Sequence, residues 1–160
     1  QRAPAFSYEC LQVHGGNGFI MENPMARLYR EAPLNSIWEG TSNMMCMDVL
    51  RAMQRDARCR DAFVDELRAS RGLDRIYDSR TDDLAGRLRA RYPDDGHARA
   101  LVTRMAHMLQ AAGMLQHGDA DAADLFVRSR LGTDGMHVFG ALPSSERLGA
   151  IVERAAVIRH

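Results

Sequence analysis

Residues 98–116, ARALVTRMAHMLQAAGMLQ, are the most regular stretch of the sequence. Apolar side chains recur in it with the period of an amphipathic α-helix, at Leu101, Val102, Met105, Met108, Leu109 and Ala112. The same period appears at residues 42–56, 60–70, 75–91 and 121–131, and a last helix is predicted to begin at Ser144 or Ser145. Turn residues such as those at 93–96 separate these stretches, and none has the period of a strand. We therefore predict an all-α fold, an antiparallel helical bundle.

The composition is that of one ordinary globular domain. Among the 160 residues, 46% are hydrophobic and 26% are charged, and no apolar run approaches the ~20 residues that cross a bilayer. The 21 basic residues, all arginine, balance 21 acidic residues, so the net charge predicts no attraction to nucleic acid or to a membrane surface. The three cysteines, Cys10, Cys46 and Cys59, lack metal-ligand spacing. They predict no zinc site and no disulfide framework, and they indicate a reducing, cytoplasmic location.

A glycine cluster lies near the start of the chain, where QVHGGNGF occupies residues 12–19 and follows a helix that is predicted to begin near Ala5. One glycine is a common way to end a helix, because it adopts positive φ freely. Several close glycines also let a backbone approach a bulky ligand or another chain, and successive N–H groups can face a phosphate. Both interpretations, a helix stop and a contact site, are open from the cluster alone.

Two further motifs follow the glycine cluster. Asn23 and Pro24 predict the start of a short helix that ends before Pro33, with Met25, Leu28 and Tyr29 facing inward. IWEGTSN at residues 37–43 then places Glu39 between an indole and a glycine, just before a helix that Thr41 or Ser42 can cap. A carboxylate beside an indole on a tight turn is partly desolvated, which suits a general base. It can equally be a solvated carboxylate near a helix N-terminus.

Taken in order, QVHGGNGF, PMARLYREAP and IWEGTSN resemble the C-terminal helical bundle of the flavin-dependent acyl-CoA dehydrogenases. Residues 35–51, NSIWEGTSNMMCMDVLR, resemble more narrowly the AidB branch, which is associated with the adaptive response to alkylation damage. The resemblance implies that residues 1–58 end the dehydrogenase helical domain and that residues 59–160 form a helical extension packed on the same core. The family's other domains do not appear in the sequence. We therefore expect a C-terminal piece of a longer flavoprotein, unable to hold FAD or to act alone.

The resemblance also implies a chemistry and a set of site residues. In this family a carboxylate takes the α proton of an acyl-CoA thioester while the β hydrogen leaves as hydride to N5 of FAD; the matching base is Glu39. Its backbone N–H matches a donor to the thioester carbonyl, and Trp38 and Gly40 match the border of the acyl pocket. The residues that match flavin contacts, some of them reaching a neighbouring subunit, are Gln12, Gly15, Gly16, Thr41 and Asn43. A homo-oligomer, dimer or tetramer, is implied as well.

Two other functions belong to different classes. In the AidB branch the C-terminal helices are associated with duplex DNA, and such binding needs clustered cations. The candidates are Arg55, Arg58, Arg60, Arg68, Arg71 and Arg75, with a second group at Arg87, Arg89, Arg91 and Arg99. Interleaved acidic residues make solvated faces with ion pairs an alternative interpretation of both groups. The third function is structural: the region from about Arg60 onward would pack subunits together.

Overall fold

The computed structural model describes residues 1–90, 95–132, 139–142 and 148–156. These residues contain nine α-helices and no strand, so the predicted all-α fold is confirmed. The helices are α1 (Ala3–Val13), α2 (Gly16–Phe19), α3 (Pro24–Glu31), α4 (Ser42–Arg55), α5 (Ala57–Arg68), α6 (Arg75–Ala90), α7 (Ala98–His117), α8 (Ala120–Arg130) and α9 (Leu148–Ala155). The first half of the predicted turn at 93–96, Arg91, and the proposed helix start at Ser144 or Ser145 lie outside the described residues.

The chain divides into two compact units, residues 1–49 and residues 50–160. In the first unit, α1 packs against α2, α3 and a short 3₁₀ turn at Ala32–Ser36. The predicted start of α3 is confirmed, because the Asn23 side chain accepts a hydrogen bond from the Met25 N–H at 2.9 Å. The helix α2, inside the glycine cluster, was not predicted.

The first unit buries few side chains of its own. Leu28 is 48% exposed and Tyr29 is 39% exposed, so the expectation that both face inward is wrong for this unit. The Tyr8 and Tyr29 rings lie 6.0 Å apart, yet both remain accessible. Short helices of this kind present too little surface to enclose large apolar side chains by themselves. The unit therefore presents an unusually apolar surface for its size.

The second unit has a conventional helical core. The helix α7 packs against α5, α6 and α8, and it buries Leu101, Met105, Met108 and Ala112 as predicted. Leu109 is 46% exposed, whereas Ala111 is fully buried. The buried face of α7 is thus rotated slightly from the face that the sequence pattern predicted.

Buried polar bonds join three helices of this core. The Tyr77 hydroxyl on α6 donates a hydrogen bond to the Leu67 carbonyl of α5 at 2.7 Å. The Ser70 hydroxyl donates to the Ala112 carbonyl of α7 at 3.4 Å and accepts from the Gln116 amide at 2.6 Å. Burial raises the pKa of Tyr77, which keeps its hydroxyl protonated as the donor of this bond.

Candidate active site

The segment between the 3₁₀ turn and α4 is a tight reversal of the backbone. The N–H groups of Ile37 and Trp38 both donate to the Leu34 carbonyl, at 3.0 and 3.1 Å. Two residues with positive φ follow, Glu39 at 60° and Gly40 at 115°. The Thr41 carbonyl then accepts the Met45 N–H at 3.0 Å, which makes Thr41 the N-cap position of α4.

Glu39 is the only residue other than glycine with positive φ in the part of the chain that the structure describes. This left-handed conformation costs an L-amino acid about 1–2 kcal/mol, because Cβ approaches the following carbonyl oxygen. Glycine, asparagine and aspartate are the residues that usually adopt it, so a glutamate at this position is unexpected. Backbone strain of this kind tends to occur at functional sites, where a side chain must point in a fixed direction.

The turn is open to solvent in this chain. Glu39 is exposed, and the indole of Trp38 keeps 61% of its surface accessible. The expected partial desolvation of the carboxylate by the indole is therefore wrong for the turn as it stands here. The arrangement instead matches the alternative of a solvated carboxylate just before a helix N-terminus. The assignment of Glu39 as a base stays a prediction.

The three glycines of the cluster have different structural roles. Gly15 has a φ of 58°, so its conformation favours glycine. A Cβ on Gly18 would lie 2.5 Å from the Leu11 carbonyl oxygen and 2.9 Å from the His14 Cβ, so α2 packs on the end of α1 only because this residue is glycine. A Cβ on Gly16 would meet nothing within 4 Å, and its φ is not positive. The fold thus accounts for Gly15 and Gly18 but not for Gly16.

The residues that match flavin contacts lie at two helix ends of the first unit, and all of them are exposed. Gln12, Gly15 and Gly16 lie where α1 ends, and Thr41 and Asn43 lie where α4 begins. Local backbone bonds hold each group: the Gly15 N–H donates to the Gln12 carbonyl at 2.9 Å, and the Met45 N–H donates to the Thr41 carbonyl at 3.0 Å. Both groups therefore lie on the surface of this unit.

Comparison with known proteins places both motifs within one family match. The family described as "Acyl-CoA dehydrogenase, C-terminal domain" matches residues 3–54. AidB of Escherichia coli (strain K12), whose name places it among the acyl-CoA dehydrogenases, is 33% identical over 135 residues, which are 84% of this chain and 25% of AidB. The chain belongs to the acyl-CoA dehydrogenase family.

Two other relatives named as acyl-CoA dehydrogenases match a shorter part of the chain. The short-chain specific mitochondrial acyl-CoA dehydrogenase of Rattus norvegicus is 34% identical over 58 residues, 36% of this chain and 14% of that protein. The 3-methylmercaptopropionyl-CoA dehydrogenase of Ruegeria pomeroyi is 39% identical over 64 residues, 39% of this chain and 11% of that protein. The chain thus spans about a quarter or less of the length of these relatives.

The arginines that suggested a DNA surface are largely neutralised by neighbouring acids. Within the first group, the ion pairs are Arg58–Asp56 at 2.6 Å, Arg60–Asp61 at 3.1 Å, Arg68–Asp65 at 3.4 Å and Arg71–Asp82 at 2.9 Å. In the second group, Arg87 pairs with Asp83 at 3.0 Å. The hydrogen bonds from Arg58 also lower the pKa of Asp56. These contacts favour the alternative of solvated faces with ion pairs over a continuous cationic surface.

The described residues show neither a metal site nor a disulfide. None of their groups of histidine, cysteine, aspartate and glutamate is arranged to hold a metal ion. Cys10, Cys46 and Cys59 are free thiols. No described helix combines the length and the apolar character that a membrane crossing requires.

Proposed function

We propose that this chain is the C-terminal helical part of an FAD-dependent acyl-CoA dehydrogenase in which Glu39 is the catalytic base. The observation that carries the proposal is the left-handed backbone of Glu39, on a turn that the family match includes. In this proposal residues 1–58 complete the dehydrogenase helical domain and residues 59–160 form an extension. A strained backbone at Glu39 is explained if function requires its carboxylate to point in one fixed direction.

The turn offers two groups to a thioester. The Glu39 carboxylate would accept the proton from the α carbon of an acyl-CoA. The Glu39 N–H, whose direction is set by the positive φ, would donate to the thioester carbonyl and stabilise the negative charge that develops on its oxygen. FAD, when bound, would supply the acceptor for the β hydrogen as a hydride, so that the substrate would lose one proton and one hydride and gain a carbon–carbon double bond.

The exposed residues at the helix ends fit a flavin cofactor. Gly16 leaves an open face where nothing in the chain requires glycine, as expected if a pyrophosphate or a second subunit approaches the backbone there. Gln12, Thr41 and Asn43 would supply polar contacts, and Gly15 would hold the shape of the loop. Trp38 and Gly40 would border the acyl chain, since the exposed indole offers an apolar wall next to the base.

The decisive experiment uses the full-length parent protein and the variant Glu39→Gln. An acyl-CoA substrate is added without oxygen, and the loss of the oxidised flavin absorbance is followed. General bases contribute about 10²–10⁴-fold to rate, so we expect a loss of that size with the flavin still bound. Glu31→Gln, which removes an exposed carboxylate from α3, is the matched control and should leave the rate unchanged. If the flavin of Glu39→Gln is reduced as fast as that of the original protein, another residue is the base.

A second candidate function is a DNA-associated, AidB-like flavoprotein with little dehydrogenase activity. One observation favours it: the similarity to AidB covers 84% of the chain and so extends well beyond the domain match that ends at residue 54. If the chain neutralises n phosphates of DNA, the logarithm of its binding constant should fall with the logarithm of the salt concentration with a slope of about 0.9n. Salt-sensitive retention of the chain on duplex DNA, lost when Arg58, Arg60, Arg68 and Arg71 are replaced by alanine, would support this function. Absence of retention at low salt would exclude it for this chain.

We also propose that the parent protein is a homo-oligomer, a dimer or a tetramer. The exposed apolar side chains of the first unit, including Phe19, Ile37 and Trp38, support association, because a surface of this kind seldom stays in contact with water. Sedimentation of the full-length parent tests the proposal. A monomer at all concentrations would contradict it.

A further inference from the structure

The second unit has an open cavity of about 380 Å³, within the range of pockets that hold small molecules. The described residues that line it are four from α6 and one that lies two positions past the end of α8: Arg75, Ile76, Ser79, Arg80 and Gly132. Arg75 and Ser79, and likewise Ile76 and Arg80, are four positions apart on α6, so they form two adjacent rows along the flank of the helix that lines the cavity. This face therefore presents two guanidinium groups, a hydroxyl and one apolar side chain to the same space.

The two arginines of the cavity differ from most arginines of this unit. Nε of Arg80 donates a hydrogen bond to the Leu131 carbonyl at 2.8 Å, which orients the guanidinium and leaves its terminal nitrogens available. Neither Arg75 nor Arg80 forms an ion pair with a carboxylate of the described residues. The nearby carboxylates have other partners. Asp74 accepts the Tyr77 N–H and Asp78 accepts the Gly72 N–H, whereas Asp82 binds Arg71 and Asp83 binds Arg87 and Arg104. Two guanidinium groups that bind no carboxylate line one concave site, which favours an anion as its ligand.

We propose that this cavity, which we call the α6 anion site (Arg75, Ile76, Ser79 and Arg80), binds the phosphate group of a small organic phosphomonoester. Guanidinium groups match phosphate oxygens in geometry and charge, and the Ser79 hydroxyl adds a donor beside them. Ile76 offers an apolar contact to the organic part of the ester.

The surroundings favour a small ligand over a nucleic acid backbone. Outside the cavity, α6 carries Asp78, Asp82 and Asp83, whose charges alternate with those of the paired arginines. A duplex would need a continuous row of free cations, and this surface does not provide one. A terminal phosphate needs only the two arginines and the hydroxyl. The site does not depend on the dehydrogenase chemistry proposed for Glu39, because all its residues lie in the second unit.

Isothermal titration calorimetry on the 160-residue chain tests the proposal with three probes: phenyl phosphate, inorganic phosphate and a short DNA duplex without terminal phosphates. We expect phenyl phosphate to bind more tightly than inorganic phosphate, because only the ester contacts Ile76. Arg75→Gln should weaken both by about tenfold or more, the worth of a hydrogen bond between charged groups. Arg89→Gln, which removes an exposed arginine of the same helix outside the cavity, should change neither affinity.

Circular dichroism of each variant verifies that the helices are retained, and Ser79→Ala gives a second variant with an expected smaller loss. Failure of phenyl phosphate to bind at millimolar concentration would overturn the proposal. Equal weakening by Arg75→Gln and Arg89→Gln would overturn it as well, because the effect would then be one of general charge. If the duplex binds in a way that depends on Arg75 and phenyl phosphate does not bind, the ligand of the site is nucleic acid and the proposal is overturned.

Discussion

Replacing Glu39 with glycine is expected to stabilise this chain while it removes the candidate base. Glu39 has a φ of 60°, a conformation that costs an L-residue about 1–2 kcal/mol and costs glycine almost nothing. Glycine in turn gives the unfolded chain more freedom, which lowers the free energy of unfolding by about 0.4–1 kcal/mol. The difference is a net gain of about 0.5–1 kcal/mol. Because the exposed side chain forms few contacts, little packing is lost.

The assay is urea unfolding of Glu39→Gly and Glu39→Ala, followed by helical circular dichroism. Emission from Trp38, the single tryptophan, serves as a local probe next to the turn. Alanine is the matched control, because it removes the same carboxylate but keeps the Cβ that causes the strain. We expect Glu39→Gly to unfold at a higher urea concentration than both Glu39→Ala and the unmodified chain. A glycine variant no more stable than the alanine variant would show that Glu39 is not strained, and the main support for its functional role would be lost.

Three further substitutions test how the chain is held together. Gly18→Ala should destabilise by about 1–3 kcal/mol in thermal unfolding, since its Cβ would overlap the Leu11 carbonyl, whereas Gly16→Ala should fold as well as the original chain. Tyr77→Phe should cost about 1–2 kcal/mol, because the buried Leu67 carbonyl loses its donor. Because burial raises the pKa of Tyr77, its hydroxyl should stabilise the fold fully below about pH 10, the pKa in the unfolded chain, and less as pH rises through the pKa in the folded chain. If the urea midpoint of Tyr77→Phe falls over this pH range as much as that of the original chain, this explanation is contradicted. Asp119→Ala should cost about 1 kcal/mol by uncapping α8, and Asp119→Asn should retain most of that stability in the same melts.

The helices could be predicted from the sequence because their apolar period is local information. The stretch at residues 98–116 predicted α7 almost to its ends. Which side of α7 is most buried could not be predicted to the same precision, because α5, α6 and α8 all pack against it. Their arrangement buries Ala111 and leaves Leu109 half exposed, although the pattern alone favours leucine for the core.

The turns were harder to predict than the helices. Glycine is a poor helix former, so nothing in GNGF indicates the helix α2, which depends on the close contact of Gly18 with α1. The position of Glu39 on a turn before α4 could be predicted from its neighbours. Its left-handed backbone could not, because glutamate has no preference for that conformation. Its exposure agrees with one of the two interpretations that the sequence left open, and the choice between them could not be predicted because an adjacent indole shields a carboxylate only if the ring folds over it.

The open face of Gly16 has a consequence for how this position evolves. Where neither backbone conformation nor internal crowding restrains a residue, mutation can exchange it for alanine or serine without harm to folding. Natural relatives that keep glycine at this position would then do so because of a contact outside their own fold. In a lineage that had lost its cofactor, other residues should appear at this position. Sequencing more of the family could thus reveal, at a single codon, which members still need that external contact.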